Sequence, residues 1–286
     1  MTARTITNTN TKFKNSVFTA LFNNEDAARE LYNALANTNY GPETKVEITT
    51  LEDVLFMEQI NDVSFVIDGK IVILIEHQST INKNIPLRML LYIARVYEKI
   101  CENKNLYRKN MITIPRPEFF VLYNGDNANI PDKQTLKLSD MFNNFGKDSP
   151  VELELRVPIY NINKGRNTEL AKRSKTLDGY ETFIELIREY GKMAGNLNSA
   201  VKQAIKECLN RDILKGFLEN QGSEVVNMLL TEWKLEEALE VSKEEGREEG
   251  ETQAQRKIAK EMKYEGITTA QIVKFTKLSE AEIEKL

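Results

Sequence analysis

The stretch spanning residues 63–75 restricts the fold more than any other part of the chain. It runs Val-Ser-Phe-Val-Ile, then Asp-Gly-Lys, then Ile-Val-Ile-Leu-Ile. β-Branched runs of this kind favour extended backbone, and Asp68-Gly69 between them is a strong hairpin cue, because glycine takes positive φ without a Cβ clash. A hairpin this apolar must be covered, so the flanking segments have to supply further layers. Upstream, Val17, Phe18, Leu21, Phe22, Ala28, Leu31, Tyr32 and Leu35 recur at steps of three and four, which predicts helix with a break near Asn23 and Asn24. Downstream, Pro86 opens a predicted helix that carries Leu87, Leu90, Leu91, Ala94, Tyr97 and Ile100 on one side. Residues 45–50, 118–123 and 151–160 add three further extended segments.

Past residue 166 the periodicity becomes helical over 180–193, 200–209 and 225–241, and Tyr180, Phe183 and Trp233 fall on core spacing. The acidic repeat EEGREEGE at 244–251 predicts a solvated helix or linker. Three short helices should close the chain: one ending at Gly266, one starting near Thr269, and one capped by Ser279 with Glu282 three residues on. A chain of 286 residues accommodates one main body with an appendage. The expected division is a disordered, Asn/Thr-rich segment 1–12, an α/β domain at 13–165, a helical extension at 166–250 and a small helical tail at 251–286.

Composition narrows the chemistry. Cys101 and Cys208 are isolated from each other and from histidine, and His77 is the sole histidine, so no disulfide framework, zinc cluster or multi-histidine metal centre is encoded. Any catalytic centre has to lean on carboxylates. With no run of about 18 apolar residues and no apolar stretch near the N-terminus, a cytoplasmic location and no membrane partner are expected. The net charge of −4 originates beyond residue 180, which leaves basic clusters such as Lys164, Arg166, Lys172, Arg173 and Lys175 available earlier in the chain.

The hairpin carries the candidate site. On an extended strand Glu76 and Gln78 share one side and His77 takes the other. A three-residue loop Asp68-Gly69-Lys70 pairs Ile67 with Ile71 and sets Asp62 opposite Glu76; a two-residue turn shifts the register by one and separates them. The apolar pattern favours the first arrangement, with Val63, Phe65, Ile67, Ile71, Ile73 and Ile75 on one apolar face and Asp62, Ser64, Glu76 and Gln78 at one end of the other. Two carboxylates about 4 Å apart repel by roughly 4 kcal/mol at an effective dielectric near 20, so a cation is expected between them. All-oxygen ligation points to a hard divalent ion such as Mg²⁺, with Mn²⁺ as its substitute.

Asp62 followed by Glu76-x-Gln78 on the next strand, with a helix before and a helix and strand after, resembles the PD-(D/E)XK phosphodiesterase superfamily. The longer string EHQSTINKNIPLRMLLY, with KFKNSVFTALF before it and FFVLYNG after it, is similar to the bacterial family of recombination-promoting nucleases and transposases over residues 12–165. The resemblance implies a restriction-endonuclease-like αβββαβ core, a mixed sheet flanked by helices, with an all-helical C-terminal extension. It implies a metal-dependent DNA endonuclease in which Asp62 and Glu76 bind Mg²⁺, the His77 backbone carbonyl completes the ligation, and Gln78 stands where the motif usually has lysine. A glutamine amide donates hydrogen bonds but supplies no charge. Arg88 and Arg95, on the helix after Pro86, are the candidates for a second cation at phosphate. The tail ITTAQIVKFTKLSEAEIEKL is similar to the closing segment of family members and has helix-turn-helix spacing, with Lys277 where relatives often carry glycine. A second class stays open: a catalytically weak or inactive nucleic-acid-binding or scaffold protein on a degenerate nuclease fold, a homo-oligomer through its C-terminal helices.

Overall fold

The computed structural model describes residues 16–49, 62–77, 81–102, 104–143, 150–194 and 196–285. The expected disordered segment 1–12 and Gln78 lie outside them. Two compact units are distinguished, residues 1–229 and 230–286.

The first unit opens with α1, Val17–Phe22, and α2, Glu25–Ala36. The break falls at the two asparagines. Asn23 closes α1, and the Asn24 side chain caps α2 by accepting from the Asp26 and Ala27 amides. All eight apolar positions predicted to face inward are buried.

Six strands follow: β1 Val46–Thr49, β2 Asp62–Ile67, β3 Lys70–His77, β4 Arg116–Tyr123, β5 Lys133–Lys137 and β6 Arg156–Asn161. Their order is β1-β2-β3-β4-β6-β5. β1, β2 and β3 form an antiparallel meander, β4 and β6 run parallel to β3, and β5 returns antiparallel along the far edge. The parallel step from β3 to β4 is made by α3, Ile85–Cys101, with Pro86 in its first turn. This is a mixed α/β sheet flanked by helices, as expected.

Each face of the sheet has its own cover. Ile71, Ile73, Phe119, Val121, Tyr123, Val157 and Ile159 pack against Ile85, Met89, Tyr92 and Ile93 of α3. On the opposite side Tyr32 of α2 meets Phe65 and Phe120 edge to face at 6.2 and 6.3 Å. α3 is rotated from the predicted orientation: Leu87 and Leu91 are 41% and 54% exposed, and the stripe through Met89, Tyr92 and Ile93 is buried instead. Apolar residues surround the first turns of this helix, and the stripe carrying the larger aromatic is the one that removes more apolar area from water.

Four helices succeed β6: α4 Thr168–Arg173, α5 Lys175–Ala194, α6 Leu197–Asn210 and the start of α7, Lys215–Tyr264. Tyr180 and Phe183 of α5 are buried, and Phe18 of α1 meets the Tyr180 ring at 5.8 Å. The Trp233 side chain lies outside the described residues. In the second unit, backbone helix continues through the acidic repeat to Tyr264 and is followed by α8, Thr269–Thr276, and α9, Glu280–Glu284. Ala259, Ile272, Leu278 and Ile283 form its core, and Ser279 with Glu282 makes the predicted capping box. Among the described residues no helix is long and apolar enough to cross a membrane.

Candidate metal and nucleic-acid site

The β2–β3 turn sets the geometry of the predicted site. Asp68 has φ 46° and Gly69 φ 69°, so both turn residues lie in the left-handed region that a two-residue type I′ hairpin requires. Ile67 therefore pairs with Lys70, Phe65 with Val72, and Asp62 with Ile75. This corrects the expected three-residue loop: Asp62 stands one residue short of Glu76, and strict alternation puts positions 62 and 76 on opposite sides of a regular pleat. The single apolar face is corrected with it. Phe65 and Val72 look towards α2, while Ile71 and Ile73 look towards α3.

Lys70 explains how the shorter turn is accommodated. Its position opposite Ile67 looks unsuited to a lysine, yet the side chain is only 16% exposed. Its Nζ donates to the Tyr40 hydroxyl at 2.5 Å and to Asp68 at 3.2 Å, and sits 4.9 Å from the centre of the Tyr40 ring. Burial works against this charge, but the Tyr40 and Asp68 hydrogen bonds outweigh it and hold the ammonium above the ordinary lysine range. The aliphatic stem thus behaves as a strand residue.

Asp62 begins β2 and Glu76 is the penultimate residue of β3, so both acidic positions lie at one end of the sheet. His77, the predicted source of a backbone carbonyl, ends β3 opposite Tyr123 of β4. Arg88 is half-buried on α3 and Arg95 is exposed one heptad later. Among the described residues no group of three or more His, Cys, Asp or Glu could hold a metal ion.

The carboxyl ends of β4 and β6 gather a polar cluster that was not anticipated. Asn124 and Asn161 are both 2% exposed. Arg188 of α5 donates to Asn163 Oδ1 at 2.7 Å and to the Asn124 carbonyl, and pairs with Asp126 at 3.3 Å. Asn163 in turn donates to the Gly125 carbonyl and to Asn161 Oδ1, each at 2.9 Å. Two turns earlier on α5, Glu181 is 3% exposed and its Oε1 lacks a hydrogen-bond partner among the described residues. Burial pushes its carboxyl up to about 8, opposed by Lys164 and reinforced by Asp178 and Glu185. The signal for this cluster was present in Glu181 and Arg188, seven residues apart on the same helical stripe as Leu177 and Ile184. Asn-Gly at 124–125 reads from sequence only as the end of a strand.

The basic run at 164–175 is mostly engaged in holding the fold. Lys164 pairs with Asp178 at 2.5 Å, Arg166 with Asp132 at 2.9 Å and Lys172 with Glu169 at 2.7 Å. Arg173 donates to the Thr38 carbonyl at 2.7 Å and to Asn37, tying α4 to the end of α2. Cys101 and Cys208 are free thiols, half-buried and buried respectively.

A family model described as "Putative transposase, YhgA-like" matches residues 47–212, from β1 through the end of α6. No curated protein and no solved structure matches the chain.

Proposed function

Because the chain belongs to the YhgA-like transposase family, we propose that it is a Mg²⁺-dependent DNA endonuclease that promotes recombination by hydrolysing phosphodiester bonds. The observation that carries this reading is the placement of Asp62 and Glu76 at adjoining ends of the paired strands β2 and β3, with α3 and the parallel strand β4 following in order. The side chains at both acidic positions offer carboxylate oxygens, so the donor set fits a hard divalent ion better than zinc or copper. Ligation by both carboxylates requires the strand ends to leave the regular pleat, since the paired register leaves them one residue out of step.

In this proposal Asp62 and Glu76 hold the ion, with the His77 carbonyl as a third oxygen. A divalent cation bound there supplies a water of lowered pKa and positive charge at a phosphate oxygen. Gln78 donates its amide hydrogens to that water or to phosphate, and Arg88 and Arg95 contact the neighbouring phosphates. A lost donor of the lysine type weakens transition-state stabilisation by on the order of 3 kcal/mol, so turnover is expected to be slow unless an arginine replaces the missing charge.

Plasmid cleavage tests the reading, run with Mg²⁺ and with chelator for the wild type, Asp62→Ala and Glu76→Ala. Cleavage that needs Mg²⁺ and disappears in both variants supports it, and equal activity in all three overturns it. The offset between Asp62 and Glu76 favours a second reading, a nucleic-acid-binding protein on a nuclease scaffold that associates through its C-terminal helices. That reading predicts DNA binding without cleavage.

A further inference from the structure

The connection between α3 and β4 leaves apolar and cationic side chains together in water. Residues 102–115 contain three cations and one acid, Glu102 at the edge of the segment, in a chain whose net charge is −4. Tyr107 is 100% exposed, Met111 91% and Leu106 66%. Lys104, Arg108 and Lys109 are exposed as well, and no ion pair engages them among the described residues. This contrasts with the basic run at 164–175, where Lys164, Arg166 and Lys172 are each paired to a carboxylate.

The segment is anchored at both ends. The Lys104 amide donates to the Cys101 carbonyl at 2.8 Å, the Tyr97 hydroxyl donates to the Pro115 carbonyl at 2.7 Å, and the Arg116 amide donates to the Gly69 carbonyl at 3.3 Å. Between the anchors, the Asn105 side chain accepts from the Tyr107 amide at 3.0 Å and its carbonyl from the Arg108 amide at 3.2 Å. The resulting turn carries Leu106, Tyr107, Arg108 and Lys109 on its outside. An aromatic ring and two aliphatic side chains left in water lose burial energy that folding offers elsewhere, and three clustered cations that form no ion pair among the described residues repel one another. Both costs vanish against a polyanion that also presents flat apolar faces.

We propose that this segment is a DNA-binding surface for single-stranded or unstacked DNA, with Lys104, Arg108 and Lys109 on backbone phosphates and Tyr107, flanked by Leu106 and Met111, stacked on a base. Paired duplex is the poorer ligand, because its bases show only their edges in the grooves and a tyrosine ring needs an exposed base face. The segment is distinct from the proposed metal site. Arg116 pairs with Lys70 at the beginning of β3, whereas Glu76 lies six residues on near its end, so roughly 20 Å of strand separates them. The inference rests on the reading of the chain as DNA-directed and does not need catalysis.

The test is fluorescence anisotropy on the full chain in chelator, with a labelled 30-nucleotide single strand and the corresponding blunt duplex. The wild type is expected to prefer the single strand. Tyr107→Ala should weaken that binding roughly tenfold while Tyr107→Phe retains it. Replacing Lys104, Arg108 and Lys109 together by glutamine should reduce the slope of log affinity against log salt by about 2. All these side chains are solvent-exposed, so thermal unfolding followed by circular dichroism should be unchanged and confirms that each variant is folded. Variants that bind like the wild type overturn this surface and leave the nuclease reading standing. Weakened binding by the variants, with a wild type that binds DNA but shows no Mg²⁺-dependent cleavage, supports the surface and removes the nuclease reading. Binding to phosphatidylserine vesicles with no binding to either oligonucleotide assigns the segment to anionic lipid and overturns the proposal.

Discussion

Replacing Glu181 by glutamine should stabilise the chain at neutral pH and flatten its pH profile. Glu181 is 3% exposed, and its carboxyl is raised from 4.5 to about 8 by burial, with Lys164 opposing and Asp178 and Glu185 adding to the rise. In the unfolded chain the same group titrates near its ordinary value. Between these two values the folded chain holds a proton that the unfolded chain has released, so stability falls as pH rises through the interval. At pH 7 the accumulated loss is about 3 kcal/mol relative to pH below 4, at about 1.4 kcal/mol per pH unit. Glutamine keeps the shape and carries no charge to desolvate, so Glu181→Gln does not accumulate this loss. Urea unfolding of both proteins at pH 5, 6, 7 and 8 measures it. The gap in favour of the variant should widen from under about 1 kcal/mol at pH 5 to about 3 kcal/mol at pH 7 and keep growing towards pH 8. A gap that stays constant across this range would refute the argument, because a change in packing alone has no reason to follow the titration of one carboxyl.

The backbone makes two further predictions. Lys277 closes α8 in the left-handed conformation at φ 59°, so Lys277→Gly relieves strain of about 1 kcal/mol; hydrogen exchange should slow by about fivefold across α8 and α9, and unchanged rates would contradict the account. Gly69 has φ 69° with nothing within 4 Å of an added Cβ, so Gly69→Ala should destabilise by about 1 kcal/mol through backbone strain alone, seen as a lower urea midpoint, and an unchanged midpoint would argue against the two-residue turn.

The fold was legible where side-chain periodicity and punctuation agree. Asn23 and Asn24 announced the break between the first two helices, Pro86 the start of α3, and Ser279 with Glu282 the last cap. The hairpin was legible but its register was not. Asp-Gly-Lys supports a loop of two or of three residues, and the choice turned on Lys70, whose charge counts as a loop signal until Tyr40, Asp68 and two aromatic rings are brought around it by the fold. That one residue moved Asp62 from opposite Glu76 to opposite Ile75. β5 was missed because Lys-Gln-Thr-Leu-Lys carries a single apolar residue, Leu136, among four polar ones, as an edge strand that discourages pairing with other chains tends to. The cluster around Arg188 was only half signalled: Glu181 and Arg188 on the apolar stripe of α5 mark buried polar groups, but their partners come from β4 and β6, whose ends meet α5 only in three dimensions. On α3, apolar residues on several sides left the buried stripe undetermined until the sheet beneath it chose Tyr92 and Ile93.

Isothermal titration of Mg²⁺ into the full-length protein in the presence of a DNA oligonucleotide addresses the proposed metal site most directly. Uptake that is lost in both Asp62→Ala and Glu76→Ala is the predicted result. No detectable uptake by the wild type, or uptake that survives both substitutions, would contradict it.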